Sequence, residues 1–184
     1  MFPCLDQTDA LKLITPPASE PLSLTEAKSF LRVEDTSQDD VITRAITAAR
    51  QAAEQYLRCA LLPQTWEYAI ANPLRTEIRL PFGPAQSITG VATTDESGAT
   101  ATLAGSAYRL SVDGGLVIFL QRLRCVSVAI TYSASIAADA DAVPALIKQG
   151  MLHHVAAIFE QRDGNAGLPM QSIACYMPYR RISL

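Results

Sequence analysis

The sequence Pro21-Leu22-Ser23-Leu24-Thr25-Glu26-Ala27-Lys28 begins a block that runs to Gln64-Thr65-Trp66 and holds the strongest structural signals in the chain. Ser23 and Glu26 form a Ser-x-x-Glu capping box, in which each side chain accepts a hydrogen bond from an otherwise unpaired backbone N–H group. One apolar stripe follows, made by Leu24, Ala27, Phe30 and Leu31. The pattern predicts a first helix that begins after Ser23 and ends near Val33.

A second, longer helix is predicted directly after the polar break Glu34-Asp35-Thr36-Ser37. We expect Ser37 to cap it, and Asp39 and Asp40 lie in its first turn, where the helix dipole favours negative charge. Apolar residues then recur at helical spacing for about five turns, up to Tyr56. Many of them are alanines, so another helix can approach closely. The two helices are expected to form an antiparallel pair.

Residues 63 to 135 change to the period of two that is typical of strands. Apolar side chains alternate with polar or small ones in four groups: Trp66, Tyr68 and Ile70; Ile78 and Leu80; Tyr108, Leu110 and Val112; Val126, Val128, Ile130 and Tyr132. Two further strands are predicted at Ile88 to Thr94 and Leu116 to Leu120. Asp95-Glu96-Ser97-Gly98 and Asp113-Gly114-Gly115 are turn signals. We therefore expect about six short antiparallel strands in a sandwich or barrel-like module.

Helical periodicity returns with Pro144 at the expected first helical position and continues to about Arg162. A short helical stretch is predicted over Met170 to Tyr176. The fold class is thus α+β: a helical core, made of the N-terminal helix pair and a long C-terminal helix, is interrupted by the β module. The predicted organisation is an extended lead-in (1–20), a first helical part (21–62), the β module (63–135), a second helical part (140–167) and a C-terminal arm (168–184).

The composition and net charge of the chain argue against several classes of function. Of the 184 residues, 49% are hydrophobic and 18% charged, which indicates one globular domain, or one domain that carries an insertion. The formal net charge of −3 predicts no overall attraction to nucleic acid or to an anionic membrane. No apolar run approaches the roughly 20 residues that span a bilayer, and the N-terminus lacks the pattern of a signal peptide. We expect a cytosolic protein, or a particle assembled in the cytosol.

No pattern of catalytic, metal-ligating or cofactor-binding residues is found. The four cysteines are dispersed, and we expect free structural thiols rather than metal ligands or disulfides: Cys4, Cys59, Cys125 and Cys175. His153 and His154 are adjacent, so on a helix they point about 100° apart and cannot chelate one ion together. Phosphate-binding glycine loops and a Gly-x-Ser-x-Gly elbow are missing from the sequence. We therefore expect no cofactor and no enzyme.

The C-terminal segment Tyr176-Met177-Pro178-Tyr179-Arg180-Arg181-Ile182-Ser183-Leu184 combines aromatic, cationic and aliphatic side chains without an acid. Tyrosine and arginine are favoured anchors in protein interfaces. Two interpretations stay open: an arm that docks onto a partner, which is preferred, or a strand or coil packed on its own domain. Two arginines are too few to indicate nucleic-acid binding.

The order of these motifs resembles the head–tail connector (adaptor) family of long-tailed bacteriophages and phage-derived gene transfer agents. The resemblance covers roughly residues 20 to 182 and excludes the lead-in before Pro16, while Asp95 to Gly105 carries no distinctive feature. Its elements are Pro21 to Lys28, Phe30-Leu31-Arg32-Val33, Asp39-Asp40-Val41-Ile42, Leu62-Pro63-Gln64-Thr65-Trp66, Ile88-Thr89-Gly90-Val91, Tyr108-Arg109-Leu110, Val128-Ala129-Ile130-Thr131-Tyr132, Val143 to Gln149 and Met177-Pro178-Tyr179-Arg180-Arg181.

This resemblance implies a structural protein of the head–tail junction in a virion or phage-like particle assembled in the bacterial cytoplasm. Family members form a ring, usually twelve-fold, beneath the capsid portal. They extend the DNA channel, through which DNA passes without sequence-specific binding, and they support the next ring, a stopper or head-completion protein. Implied partners are thus the chain itself, the portal and the stopper, with no membrane and no cofactor.

The C-terminal segments of family members typically dock into the portal. Carried onto this chain, the portal-docking residues are Tyr176, Met177, Pro178, Tyr179, Arg180, Arg181, Ile182 and Leu184. The alternative function is a soluble β-sandwich module that recognises a peptide or a sugar.

Overall fold

The computed structural model describes residues 9–73, 75–161 and 167–181. These residues form two compact units. The β unit comprises residues 9–16 and 63–135, and the helical unit comprises residues 17–62 and 136–181. The predicted α+β fold class is confirmed, since helices and antiparallel strands are both present and the strands interrupt the helical sequence.

The helical unit is built on a closely packed pair of long helices. Its elements are α1 (Leu24–Leu31), α2 (Asp39–Leu57), α3 (Ala145–Glu160), α4 (Met170–Tyr176) and a final 3₁₀ turn (Met177–Tyr179). Helix α2 packs against α3, and its buried face carries Ala45, Ala49 and Ala53. These small side chains let the backbones approach, while larger residues fill the remaining core: Leu22, Ile42, Leu57, Ile147, Met151, Val155 and Tyr176.

The helix starts follow the sequence prediction at α1 and depart from it at α2. Ser23 accepts a hydrogen bond from the N–H group of Glu26 (3.1 Å), and its own N–H donates to the Glu26 carboxylate (2.7 Å), so the capping box forms. The prediction that Ser37 caps α2 is wrong: Gln38 occupies that position and makes no side-chain cap. The reason is a competing turn, in which Ser37 donates from both its N–H and its hydroxyl to the Asp35 carboxylate.

Two further boundaries differ by a residue or two. Helix α1 ends at Leu31, because Arg32 adopts the left-handed conformation (φ 59°) and its N–H closes the helix. Pro144 is the N-cap of α3 rather than its first helical residue. No helix in the described part of the chain is both long and apolar enough to cross a membrane.

The β unit contains two antiparallel sheets. The strands are β1 (Ala10–Thr15), β2 (Gln64–Ala71), β3 (Glu77–Arg79), β4 (Ala85–Thr94), β5 (Thr100–Thr102), β6 (Tyr108–Leu110), β7 (Leu116–Phe119) and β8 (Ser127–Ala134). One sheet has the order β1-β2-β8-β4-β5, and the other has the order β3-β7-β6. Strand β8 is central and alternates in burial, with Val128, Ile130, Tyr132 and Ala134 inward.

Candidate interaction surface

The C-terminal segment starts inside the helical unit. Tyr176, the last residue of α4, has no exposed surface and belongs to the hydrophobic core. Helix α4 reaches this depth because α3 has a glycine opposite it: a Cβ at Gly150 would lie 2.5 Å from Cε1 of Tyr176. The hydroxyl of Ser172 also donates to the carbonyl oxygen of Gly150 (2.7 Å). Tyr176 must therefore be removed from the predicted docking residues, since no partner can reach its side chain.

The segment after Tyr176 stays attached to the end of α2. The N–H of Arg181 donates to the carbonyl oxygen of Leu57 (3.2 Å). The Arg180 guanidinium lies 5.1 Å from the ring centroid of Tyr56, within the range of a cation–π contact. The rings of Tyr56 and Tyr176 are themselves 6.0 Å apart. The alternative that the sequence left open, packing on its own domain, thus applies to Tyr176 and to the backbone of Arg181.

Large side chains of this segment nevertheless face solvent. Met177 is 64% exposed and Tyr179 39%, and Arg180, the next residue, is exposed as well. We call Met177, Tyr179 and Arg180 the C-terminal surface. Methionine, tyrosine and arginine are enriched in protein interfaces.

Docking by Met177, Pro178, Tyr179, Arg180 and Arg181 stays a prediction. Ile182 and Leu184 lie outside the described residues, as does Cys4 among the predicted free thiols.

A buried charge network holds the end of α2 in place. Arg50 pairs with Glu20 (Nε to Oε2, 2.7 Å) and with Glu54 (Nη1 to Oε2, 2.8 Å). The second carboxylate oxygen of Glu54 accepts the N–H of Leu61 (3.0 Å). Buried charges need such complete pairing. The sequence signal, an Arg and a Glu four residues apart, does not distinguish a buried pair from an exposed one.

Cys59 and His154 are buried, which indicates that both side chains have structural roles. Burial raises the pKa of Cys59 to about 12, so its thiol stays protonated and unreactive at neutral pH. His154 is buried, while the partly exposed His153 meets the Phe30 ring edge to face at 5.6 Å. Among the residues described, no three His, Cys, Asp or Glu side chains are grouped as metal ligands.

The β unit carries a cleft of about 460 Å³ formed largely by the loop between β7 and β8. We call it the arginine cleft and define it by Thr93, Leu103, Leu120, Arg122, Leu123 and Arg124. Neither arginine forms an ion pair with any acid in the described part of the chain. Trp66 is not among the residues that line the cleft. Its ring stacks on the ring of Phe82, with 4.7 Å between the ring centroids.

Residues 21–106 match the model of the phage gp6-like head-tail connector protein family. The resemblance expected from the sequence is thereby confirmed over these residues. Comparison with curated protein sequences gave no match.

Three solved structures share the fold over nearly the whole chain. A chain in a virion of a native gene transfer agent particle is 23% identical with a TM-score of 0.78, and covers 95% of this chain and 96% of its own length. A chain in the neck of an empty particle, computed with C6 symmetry, is 23% identical with a TM-score of 0.80 (95% and 97% covered). A chain in the neck of a native particle, computed with C12 symmetry, is 21% identical with a TM-score of 0.69 (95% and 97% covered).

Proposed function

We propose that this protein is a structural head–tail connector, located at the neck of a virion or phage-like particle. The observation that carries the proposal is the agreement of two comparisons. Residues 21–106 match the connector family, and 95% of the chain shares its fold with chains from the necks of gene transfer agent particles. Polar side chains of the helical unit support a structural role. Arg50 forms ion pairs with Glu20 and Glu54, and the Ser23–Glu26 capping box stabilises the start of α1.

The connector acts as an oligomeric ring of identical subunits, with twelve-fold symmetry expected. Support comes from the similar neck structures, which were computed with C6 and C12 symmetry. In a ring, each subunit contacts its neighbour through two different surfaces, and the rotation closes the assembly. The ring extends the DNA channel beneath the portal and provides the base for the stopper on the tail side.

Attachment to the portal is assigned to the C-terminal surface and to the residues that follow it. Met177 and Tyr179 are exposed apolar anchors, and Arg180 adds a planar cation beside them. Tyr176 holds the start of the segment in the core, so less conformational entropy is lost on docking than for a free tail. Repetition of a weak contact around a ring makes the attachment stable.

DNA passes through the ring without sequence-specific binding. A channel rich in clustered cations would retain DNA, because each neutralised phosphate adds to affinity. The formal net charge of −3 suits a conduit that does not retain it.

Truncation after Tyr176 tests the docking assignment. Removal of residues 177–184 leaves the core tyrosine in place, so the helical unit is expected to fold while portal attachment is lost. DNA-filled heads without tails should accumulate, counted by electron microscopy, and the double variant Met177→Ala/Tyr179→Ala should show the same defect more weakly.

Two matched variants serve as controls. Tyr176→Phe retains the buried ring, and Val112→Ala shortens an exposed apolar side chain in the β unit; both should give normal tailed particles. If the truncated protein still yields tailed particles at the wild-type frequency, the docking assignment is wrong.

A further inference from the structure

We propose that the arginine cleft of the β unit receives the acidic turn between α1 and α2 of a second copy of this chain. The inference rests on the ring proposed above and identifies one contact between neighbouring subunits. In a closed ring each subunit uses two different surfaces, and we assign the cleft to the contact with one neighbour and the turn to the contact with the other.

The cleft offers positive charge beside apolar surface. Arg122 and Arg124 line it without a described acid within ion-pair distance, and Leu120 is 62% exposed at its wall. A partner that complements this surface must bring carboxylates together with apolar side chains.

Two acids of the same unit adjoin the cleft, and one of them is engaged in its own turn. Asp95 and Glu96 line an adjoining cleft that shares both arginines. The Asp95 carboxylate, however, accepts the N–H groups of Ser97 (2.9 Å) and Ala99 (3.0 Å) within its own turn. The Ser97 hydroxyl also donates to this carboxylate (2.6 Å), and this bond, with smaller contributions from the N–H groups, lowers the pKa of Asp95 and holds its carboxylate within that turn. The arginines are therefore available to a partner.

The α1–α2 turn has the complementary composition. Glu34 and Asp40 are exposed, whereas Asp35 accepts hydrogen bonds from Ser37 within the turn and Asp39 is paired with Lys28 at 2.6 Å. The apolar side chains of Phe30 and Val41 are exposed on either side of the acids. The two available carboxylates, flanked by two apolar side chains, match two arginines flanked by leucines.

Protein fits the cleft better than DNA does. A DNA-binding surface places cations along the phosphate backbone, without acids among them. Here Asp95 and Glu96 adjoin the arginines, and Leu103, Leu120 and Leu123 form much of the wall.

The natural thiol of Cys125 lines the same cleft and gives a direct test. In particles assembled with the Asp40→Cys variant, a short bifunctional thiol cross-linker should join Cys125 of one copy to the introduced thiol at position 40 of the next. Denaturing gels should then show a ladder of multiples of this chain. Adding Cys125→Ser should remove the ladder, and Glu160→Cys, a matched exposed acid at the end of α3, should not form one.

The other outcomes are distinguishable. Particles that contain the chain but give no Cys125-dependent ladder would overturn this inference and leave the connector function standing. A cross-link from Cys125 to the portal, to the stopper or to DNA would also overturn it. Absence of the wild-type chain from particles would overturn both proposals.

Charge reversal provides an independent readout. Arg122→Glu/Arg124→Glu should lower the yield of tailed particles by about tenfold or more, because like charges then face each other across the contact. Adding Glu34→Arg/Asp40→Arg to the same chain should restore the yield, because the pairs then form with reversed signs. A combined variant that folds, checked by thermal unfolding, and assembles no better than either double variant would contradict the contact.

Discussion

At the scale of single residues, the glycine at position 150 is required by a contact between helices rather than by backbone conformation. An added Cβ would meet Cε1 of Tyr176 at 2.5 Å and Cβ of Cys175 at 3.0 Å. Both atoms belong to α4, whose position the hydroxyl of Ser172 also fixes. Since Tyr176 is wholly buried, it has no free space into which to move.

We therefore expect Gly150→Ala to lower the free energy of unfolding by about 1–3 kcal/mol, through overpacking against α4. The helix propensity of alanine offsets at most about 1 kcal/mol of this loss. Gly90→Ala is the matched control, because nothing lies within 4 Å of its added Cβ. Urea unfolding measures both variants, and equal stabilities would mean that α4 does not pack closely on α3.

At the scale of elements, helix α1 depends on a local exchange of hydrogen bonds that requires an ionised carboxylate. The N–H and the hydroxyl of Ser23 both donate to the Glu26 carboxylate at 2.7 Å. These bonds lower the pKa of Glu26 from its ordinary 4.5, with a smaller contribution from Lys148. Because the pKa of Glu26 is lower in the folded protein than in the unfolded chain, its ionised carboxylate stabilises the folded state at pH values above 4.5. This stabilisation is lost as the pH falls through the lowered pKa.

Glu26→Gln should accordingly cost about 0.3–1 kcal/mol at pH 7, a small amount because the side chain is half exposed. The difference from the wild type should shrink below pH 4.5 and vanish once Glu26 is protonated in the folded protein. Urea unfolding from pH 7 down to pH 3 measures it. A difference that stays constant over this range would exclude the ionised cap as its cause.

The two predicted helix caps had different outcomes, because in one of them a nearby carboxylate competes for the capping serine. Ser23 and Glu26 bond to each other, and the capping box forms as expected. Ser37 lies two residues after Asp35, and the carboxylate engages both of its donors before it can cap α2. Asp35-Thr36-Ser37 is compatible with both arrangements, so only the geometry of the turn decides between them.

At the level of the whole chain, each unit is built from two stretches that are separated in sequence. Strand β1 pairs with β2, with Ala10 opposite Ala69, although the helices α1 and α2 lie between them in sequence. In the helical unit, the N–H groups of Ile136 and Ala137 donate to the carbonyl oxygens of Ala60 (2.9 Å) and Leu61 (3.1 Å). The chain thus leaves and re-enters the helical unit at adjacent backbone positions.

Because these positions are adjacent, the helical unit should fold without the β unit. We expect a variant that lacks residues 1–16, and in which about four Gly and Ser residues replace residues 63–135, to keep helical circular dichroism and cooperative urea unfolding. The same variant with Ile147→Asp buries a charge in the core and should be unfolded. Non-cooperative unfolding of the first variant would show that the β unit is needed for the helical core.

The helix stripes, the strand alternation and the capping box could be predicted from the sequence, because each depends on residues only a few positions apart. The sequence also carried the connector resemblance, which is an order of such local motifs. The tertiary structure alone decided that Tyr176 is a core residue while Met177 and Tyr179 are exposed, and that Arg122 and Arg124 line a cleft. The physical reason is distance along the chain: Tyr176 is buried by Gly150 and by α2, whose contacts arise only when remote segments pack together.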